Sequence, residues 1–355
     1  MRSERAKEVI LIGHSFIYLI ALSSLYWQIP DGTLCRALRY GVNILPNIVN
    51  FLRIAPSYAL QVVVLFGIVL ASLSIIFHSM RNAVTYLALF VIYSTAFQVG
   101  DVFLWFQWDT LLLESGALCI LLAPLPFIGP SPADNLSLFL MRWLIFRLMY
   151  ASGIVKLTSR CNLWWNLAVS KCATQMYIIP SQIGFSALDV HFESQCIPTW
   201  IAYYAHMVPK WFKHLSTALT FYIEIILPPL FLVPLKYARY FSFYPQILLM
   251  CLIMATGNYN FFNILISVQC FAIIVDSDEY KFSTKGCSGR YEQLVSRVGA
   301  ALSLLLSAVT VYLFVHYFNI GIDGFKVTSS IGYLLFCNCQ ILTYDAVSNG
   351  WSRWF

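Results

Sequence analysis

The chain has 355 residues, 59% of them hydrophobic and 11% charged, with a formal net charge of +6 and a mean hydropathy of +0.73. A soluble domain carries about 25% charged residues because its surface must face water, so much of this exterior must face lipid. Soluble enzymes, disordered tails and collagen-like chains are excluded. The 22 basic residues form no dense stripe, so no nucleic-acid partner is expected.

A spanning helix takes about 20 mostly apolar residues. The runs 9–27, 59–77, 84–106, 109–128, 138–158, 215–235 and 298–318 have that character, and the run 240–275 is too long for one span. They predict an all-α, polytopic transmembrane helix bundle of about 7–9 spans with one long aromatic-rich loop. Residues 1–158 form an N-terminal transmembrane bundle of about five spans, 159–214 a long luminal loop, and 215–355 a C-terminal transmembrane bundle with a short tail. The first run follows Arg2, Arg5 and Lys7 and exceeds the roughly 7–15 residue core of a signal peptide. Ser24-Leu-Tyr-Trp27 offers no small-residue cleavage site, so a retained anchor is expected. A cytosolic N-terminus then puts 28–58 in the lumen, a placement that Arg36, Arg39 and Arg53 oppose.

Several charges fall where lipid is expected. Asp101, Asp109 and Glu114 lie in the third and fourth runs, Arg142, Arg147 and Lys156 in the fifth, and Glu224 in the sixth. Each costs about 2.5–3.5 kcal/mol at a helix centre, so such groups turn inward and pair. At 100° per residue, Arg142 and Lys156 share a face to within about 40°, while Arg147 lies about 140° away. Glu114 and Glu224 are candidate partners. Either these charges order the bundle as structural ion pairs, or they form a polar relay or lipid-headgroup site. The near-equal number of opposite signs favours ion pairs. His14, in the first run, reads as a satisfied interior histidine.

The stretch 159–214 holds Cys161, Trp164, Trp165, Cys172, His191, Glu193, Cys196, His206 and Lys210, with further aromatics at Tyr177, Trp200, Tyr203, Tyr204 and Trp211. A connection this long is often functional, and its aromatics suit a surface at headgroup level. Within 240–275, Gly257-Asn258-Tyr259-Asn260 is a possible helix break, tolerated in a membrane only where protein or water covers the backbone.

Catalytic motifs do not emerge. Gly286-Cys-Ser288-Gly289-Arg290 fails the last position of a nucleophile elbow. Cys337-Asn-Cys339 stands without a second pair, and His191-Phe-Glu193-Ser-Gln-Cys196 needs an inward fold to act as a catalytic or metal constellation. No metal site and no cofactor is expected. Cys119, Cys251 and Cys270 lie in apolar runs and read as packing residues. Cys35, Cys161, Cys172, Cys196 and Cys287 lie in polar loops, where disulfides are possible in an oxidising lumen but the pairing stays open. The sequon Asn135-Leu-Ser137 falls in a short connection on the expected cytosolic side.

Four strings carry a resemblance. Phe103-Leu-Trp-Phe-Gln-Trp-Asp-Thr-Leu-Leu-Leu-Glu-Ser-Gly116, Arg142-Trp-Leu-Ile-Phe-Arg-Leu-Met-Tyr-Ala-Ser-Gly-Ile-Val-Lys-Leu-Thr158, His191-Phe-Glu-Ser-Gln-Cys-Ile-Pro198 with Trp200 to Trp211, and Thr256-Gly-Asn-Tyr-Asn-Phe-Phe-Asn263 resemble the lipase maturation factor family in content and order. The resemblance covers about residues 60–280. It implies a non-enzymatic, multi-pass endoplasmic reticulum membrane protein that assists folding and dimer assembly of secreted lipases, lipoprotein lipase among them. Its partners are then immature lipases and membrane lipid. The client-binding loop corresponds to 159–214, with Trp164, Trp165, His191, Glu193, Cys196, Trp200 and Trp211 as expected contacts and Cys161–Cys196 as a possible disulfide. Residues 168–186 look inserted relative to the family, and the chain stops at Phe355, where a soluble domain would be expected to follow. A shortened form is therefore expected. The runner-up reading is an intramembrane enzyme or carrier for a lipid-like substrate, sited at the charges and the 257–260 break.

Overall fold

The computed structural model describes residues 3–29, 56–100, 104, 106–125, 134–158, 187–195 and 197–275. Among them every regular element is helical: α1 (Ser3–Gln28), α2 (Pro56–Ile76), α3 (Ala83–Gly100), α4 (Gln107–Leu122), α5 (Asp134–Thr158), α6 (Ala187–Ser194), α7 (Trp200–Met207), α8 (Lys210–Phe221), α9 (Lys236–Thr256) and α10 (Phe262–Cys270). Among the described residues the chain divides into two compact units, one within Lys7–Leu140 and one within Met141–Tyr280 together with the chain before Lys7.

Four helices among the described residues are long and apolar enough to cross a bilayer: Ser3–Gln28, Tyr58–Ile76, Leu136–Lys156 and Lys236–Thr256. The other expected runs depart from that form for identifiable reasons. The run 84–106 is helical as α3 to Gly100, and 109–128 gives α4 of only 16 residues. At about 1.5 Å per residue α4 reaches about 24 Å, short of a hydrocarbon core of about 30 Å. The run 215–235 is not one helix. α8 passes into a π-helical turn at Tyr222–Ile226 and a 3₁₀ turn at Pro228–Phe231, because the paired prolines lack the N–H groups an α-helix needs. The run 240–275 is split at Gly257 into α9 and α10. The run 298–318 lies outside the described residues.

In the unit beginning at Lys7, α2 packs on α3 and α3 on α4. The tight link between α2 and α3 ends at Asn82, whose Oδ1 accepts the Thr85 N–H at 3.0 Å and caps α3. Ser15 Oγ, the Tyr86 hydroxyl and the Leu11 carbonyl close a triangle at 2.8–3.1 Å. The Tyr93 hydroxyl donates to buried Asp109 and its ring meets Tyr18 edge-on at 5.9 Å. Lys7 pairs with Asp134 at 2.5 Å, and Arg81 with Glu8 at 2.9 Å. His14 is fully buried, its Nδ1 donating to the Ile10 carbonyl at 2.9 Å.

Gly116 lets α4 approach α1, since a Cβ there would run into the Tyr18 hydroxyl. Tyr18 is fully buried and has no room to retreat. Gly116→Ala should therefore destabilise this unit by about 1–3 kcal/mol, the usual cost of overpacking. Thermal unfolding of the solubilised protein measures it, and an unchanged midpoint would contradict this packing.

Candidate functional site

The functional candidates concentrate in the unit running from Met141 to Tyr280. α5 brings Lys156 against the π turn that carries Glu224, and the Lys156 ammonium donates to both carboxylate oxygens of Glu224. Ser152 Oγ, one turn back, accepts from the same Nζ at 3.4 Å. Glu224 is only 5% exposed. The contact depends on Gly153, where a Cβ would collide with the Ile225 side chain and come within 3.2 Å of the Glu224 Cβ. An isolated π turn often marks a functional position. Here it sets Glu224 onto Lys156.

The remaining intramembrane charges go elsewhere. Arg142 is buried and donates through Nε and Nη2 to the Ala272 carbonyl, at 3.2 and 2.9 Å, just past the end of α10. Carbonyls at helix ends lack intrahelical donors, so this guanidinium acts as a cap. Arg147 is half-buried on α5. Asp109 and Glu114 are both buried on α4. Asp101 lies outside the described residues.

A second charge cluster was not singled out by pattern. Asp189 on α6 receives Lys213 Nζ at 2.7 Å and His214 Nε2 at 3.4 Å, both from α8. Lys213 also donates to the His206 carbonyl at 3.2 Å. Lys213 and Thr217, four residues apart, occupy the buried side of α8, and that spacing is the signal that could have revealed the cluster. Burial pushes the Asp189 carboxyl up, but the hydrogen bond and charge of Lys213, joined by His214, outweigh it and hold it below its ordinary value. His191 is held below the ordinary imidazole value by burial and then by the nearby charge of Lys156.

The interruption at 257–261 is partly covered by protein: Gly257 is buried, while Asn258 and Asn260 stay exposed. α9 ends at Thr256, Gly257 is extended, and Asn260 takes a left-handed φ of 55°, a conformation asparagine tolerates. The segment before α7 straps the break: Thr199 N–H donates to the Thr256 carbonyl at 3.2 Å, and Asn258 N–H to the Ile197 carbonyl at 3.1 Å. Gln195 Nε2 adds a bond to the Thr256 carbonyl at 2.8 Å. The exposed backbone of the break is thus largely consumed.

Of the expected loop contacts, His191 is half-buried on α6, while Trp200 and Trp211 are exposed at the starts of α7 and α8. Glu193 lies on α6, but its side chain, with Trp164, Trp165, Cys161 and Cys196, is outside the described residues. Asn135 is in the first turn of α5 rather than a connection, and Ser137 is fully buried. That sequon is not presented as a surface loop. Cys119 and Cys270 are buried free thiols, whereas Cys251 is exposed rather than packed. No group of three or more His, Cys, Asp or Glu side chains suited to a metal occurs among the described residues.

Long apolar helices whose charges pair internally define an α-helical membrane protein. The chain belongs to the lipase maturation factor family: residues 5–281 match the family described as the lipase maturation factor transmembrane domain. It is similar to lipase maturation factor 2 of Gallus gallus, 38% identical over 91% of this chain and 46% of the relative. The corresponding Homo sapiens protein is 37% identical over 90% of this chain and 48% of its own length. Lipase maturation factor 1 of Homo sapiens is 30% identical over 61% of this chain and 35% of its own length. The chain spans about half the length of the factor 2 relatives it matches. No solved structure matches it.

Both lowered values have the same sign in linkage. A depressed folded-state value contributes stability above the ordinary value and loses it as pH falls through the folded one. α6 should therefore loosen in acid, first below about 6.5 through His191, and its contact with α8 below about 3.9 through Asp189. Hydrogen exchange of the α6 amides across pH reads both steps. Asp189→Asn should remove the lower step and spare the upper; a profile identical to the parent protein's would contradict the assignment.

Proposed function

We propose that this chain is the membrane part of a factor that assists maturation of secreted lipases. In this reading it is an endoplasmic reticulum protein of about seven to nine crossings. It helps client lipases fold and form dimers, and it catalyses no reaction itself. The observation that carries the reading is the family match over residues 5–281. The internal use of the charges supports it, because Glu224 is held by Lys156 and Arg142 by a carbonyl. None of these groups is left as a free base or nucleophile of the kind a reaction needs.

Client contact is assigned to the loop 159–214, with Trp164, Trp165, His191, Glu193 and Cys196 in its body and Trp200 and Trp211 at its end. A lipase monomer exposes apolar surface until it dimerises, and an aromatic surface is suited to covering such a patch. The second reading, an intramembrane enzyme or carrier for a lipid-like substrate, draws on the π turn at Glu224. The Lys156 pairing there speaks against it.

The test is secreted lipase activity per lipase molecule in cells lacking their own factor, with and without this chain. Restored specific activity that disappears when residues 159–199 are replaced by a flexible linker is the expected result. Equal restoration by both forms would remove the loop from the account. No restoration by a stably inserted full chain would overturn the proposal for this client.

A further inference from the structure

α8 is amphipathic in the reverse of the usual sense. Lys213, at 7% exposure, and Thr217 are turned inward, while Trp211, at 67%, Phe212, Leu215 and Leu219 are turned outward. Tyr222 and Ile226 continue the outward face along the π turn. A helix beside water places its polar residues outside. Here the polar side is satisfied by Asp189 on α6, and between Trp211 and Ile226 every fully exposed side chain is apolar or aromatic.

The outward residues are also ordered along the chain. Trp200, Tyr203 and Tyr204 are exposed on α7, and exposed Lys210 and Trp211 open α8. Leu215, Leu219 and Ile226 follow, with the less exposed Tyr222 between the last two. Tryptophan and tyrosine prefer the headgroup level and aliphatic side chains the hydrocarbon, so this order follows the chemistry met on entering a bilayer.

A third observation fixes the level. The bonds from Thr199 to Thr256 and from Asn258 to Ile197, with the Pro198–Gly257 bridge, pin the start of α7 to the C-terminal end of α9. α9 is a candidate span of 21 residues, about 31 Å long at 1.5 Å per residue, which matches the hydrocarbon thickness of about 30 Å. Its end is therefore a membrane boundary. α7 packs on α9, and α9 exposes Tyr237, Phe241, Tyr244, Leu248 and Leu252 along one side. The aromatic patch continues the lipid-facing side of a span.

We infer that phospholipid covers the outward face of α7 and α8, with Trp200, Tyr203, Tyr204 and Trp211 at headgroup level and Leu215, Leu219 and Ile226 among acyl chains. Trp200 and Trp211 then anchor the loop to the membrane instead of touching the client, which narrows the client contact proposed above to the part of the loop before them. The inference stands apart from the lipase reading, because it concerns only what solvates this face.

Photolabelling of the full chain in phosphatidylcholine nanodiscs tests it without any substitution. One lipid probe carries its diazirine at the headgroup, the other at the acyl terminus, and a water-borne hydroxyl radical reports aqueous exposure. Phe241 and Leu248 on α9 serve as the internal reference for acyl labelling. The headgroup probe should mark Trp200, Tyr203, Tyr204 and Trp211, and the acyl probe Leu215, Leu219 and Ile226, each at least fivefold over the other probe. Radical oxidation of Trp200 and Trp211 without lipid labelling, or lipid labelling with no order in depth, would overturn the inference.

Discussion

An ammonium and a carboxylate inside a bilayer are each costly alone, and their contact offsets much of that cost. The Lys156–Glu224 pair imposes this constraint on the unit that holds it. To bring the two together, α5 carries Gly153 so that the following element can seat closely, and the chain after α8 widens into a π turn that presents Glu224. The prolines at 228 and 229 then end the helical run, and α9 begins beyond them. Removing the Lys156 charge would leave Glu224 buried without its ammonium, an error worth about 3–5 kcal/mol. The pair explains local features that apolar packing alone does not require.

The same economy recurs at several other buried polar groups among the described residues. Arg142 is given to a helix-end carbonyl, Asp109 to a tyrosine hydroxyl, Asp189 to a lysine and a histidine, and the broken backbone at Gly257 to the strap before α7. Beyond the exposed lysines that open them, Lys210 and Lys236, α8 and α9 expose mainly apolar and aromatic side chains. The chain that does so belongs to a family named for lipase maturation.

Hydropathy made the long helices legible, because about 20 consecutive apolar residues have few other uses. The residues of α1, α2, α5 and α9 stand where the runs at 9–27, 59–77, 138–158 and the first part of 240–275 put them. Composition could not distinguish a continuous helix from the α8, π and 3₁₀ succession over 210–231, since mean hydropathy reads apolar content and not helical pitch, although the paired prolines at 228 and 229 mark where the run must end. Choice of partner was equally hidden. Arg142 and Lys156 share a helix face, yet one meets a carbonyl and the other Glu224, because neighbours at each depth of the bundle differ. The Asp189 cluster was missed because short helices between spans read as an irregular loop. The residues that carry the family resemblance include both sides of the Gly257 strap, so two of those strings meet in this structure.

The central claim is that the Lys156–Glu224 pair serves architecture and not chemistry. Exchanging the two charges, Lys156→Glu together with Glu224→Lys, tests it most directly, by comparing membrane-inserted folded yield and lipase-specific activity with the two single variants. The account predicts that both single variants lose folded protein and that the exchanged pair recovers yield and client activity together. Recovery of folded yield with client activity still abolished would contradict it, because the identity and position of each group, and not their attraction, would then be what the protein uses.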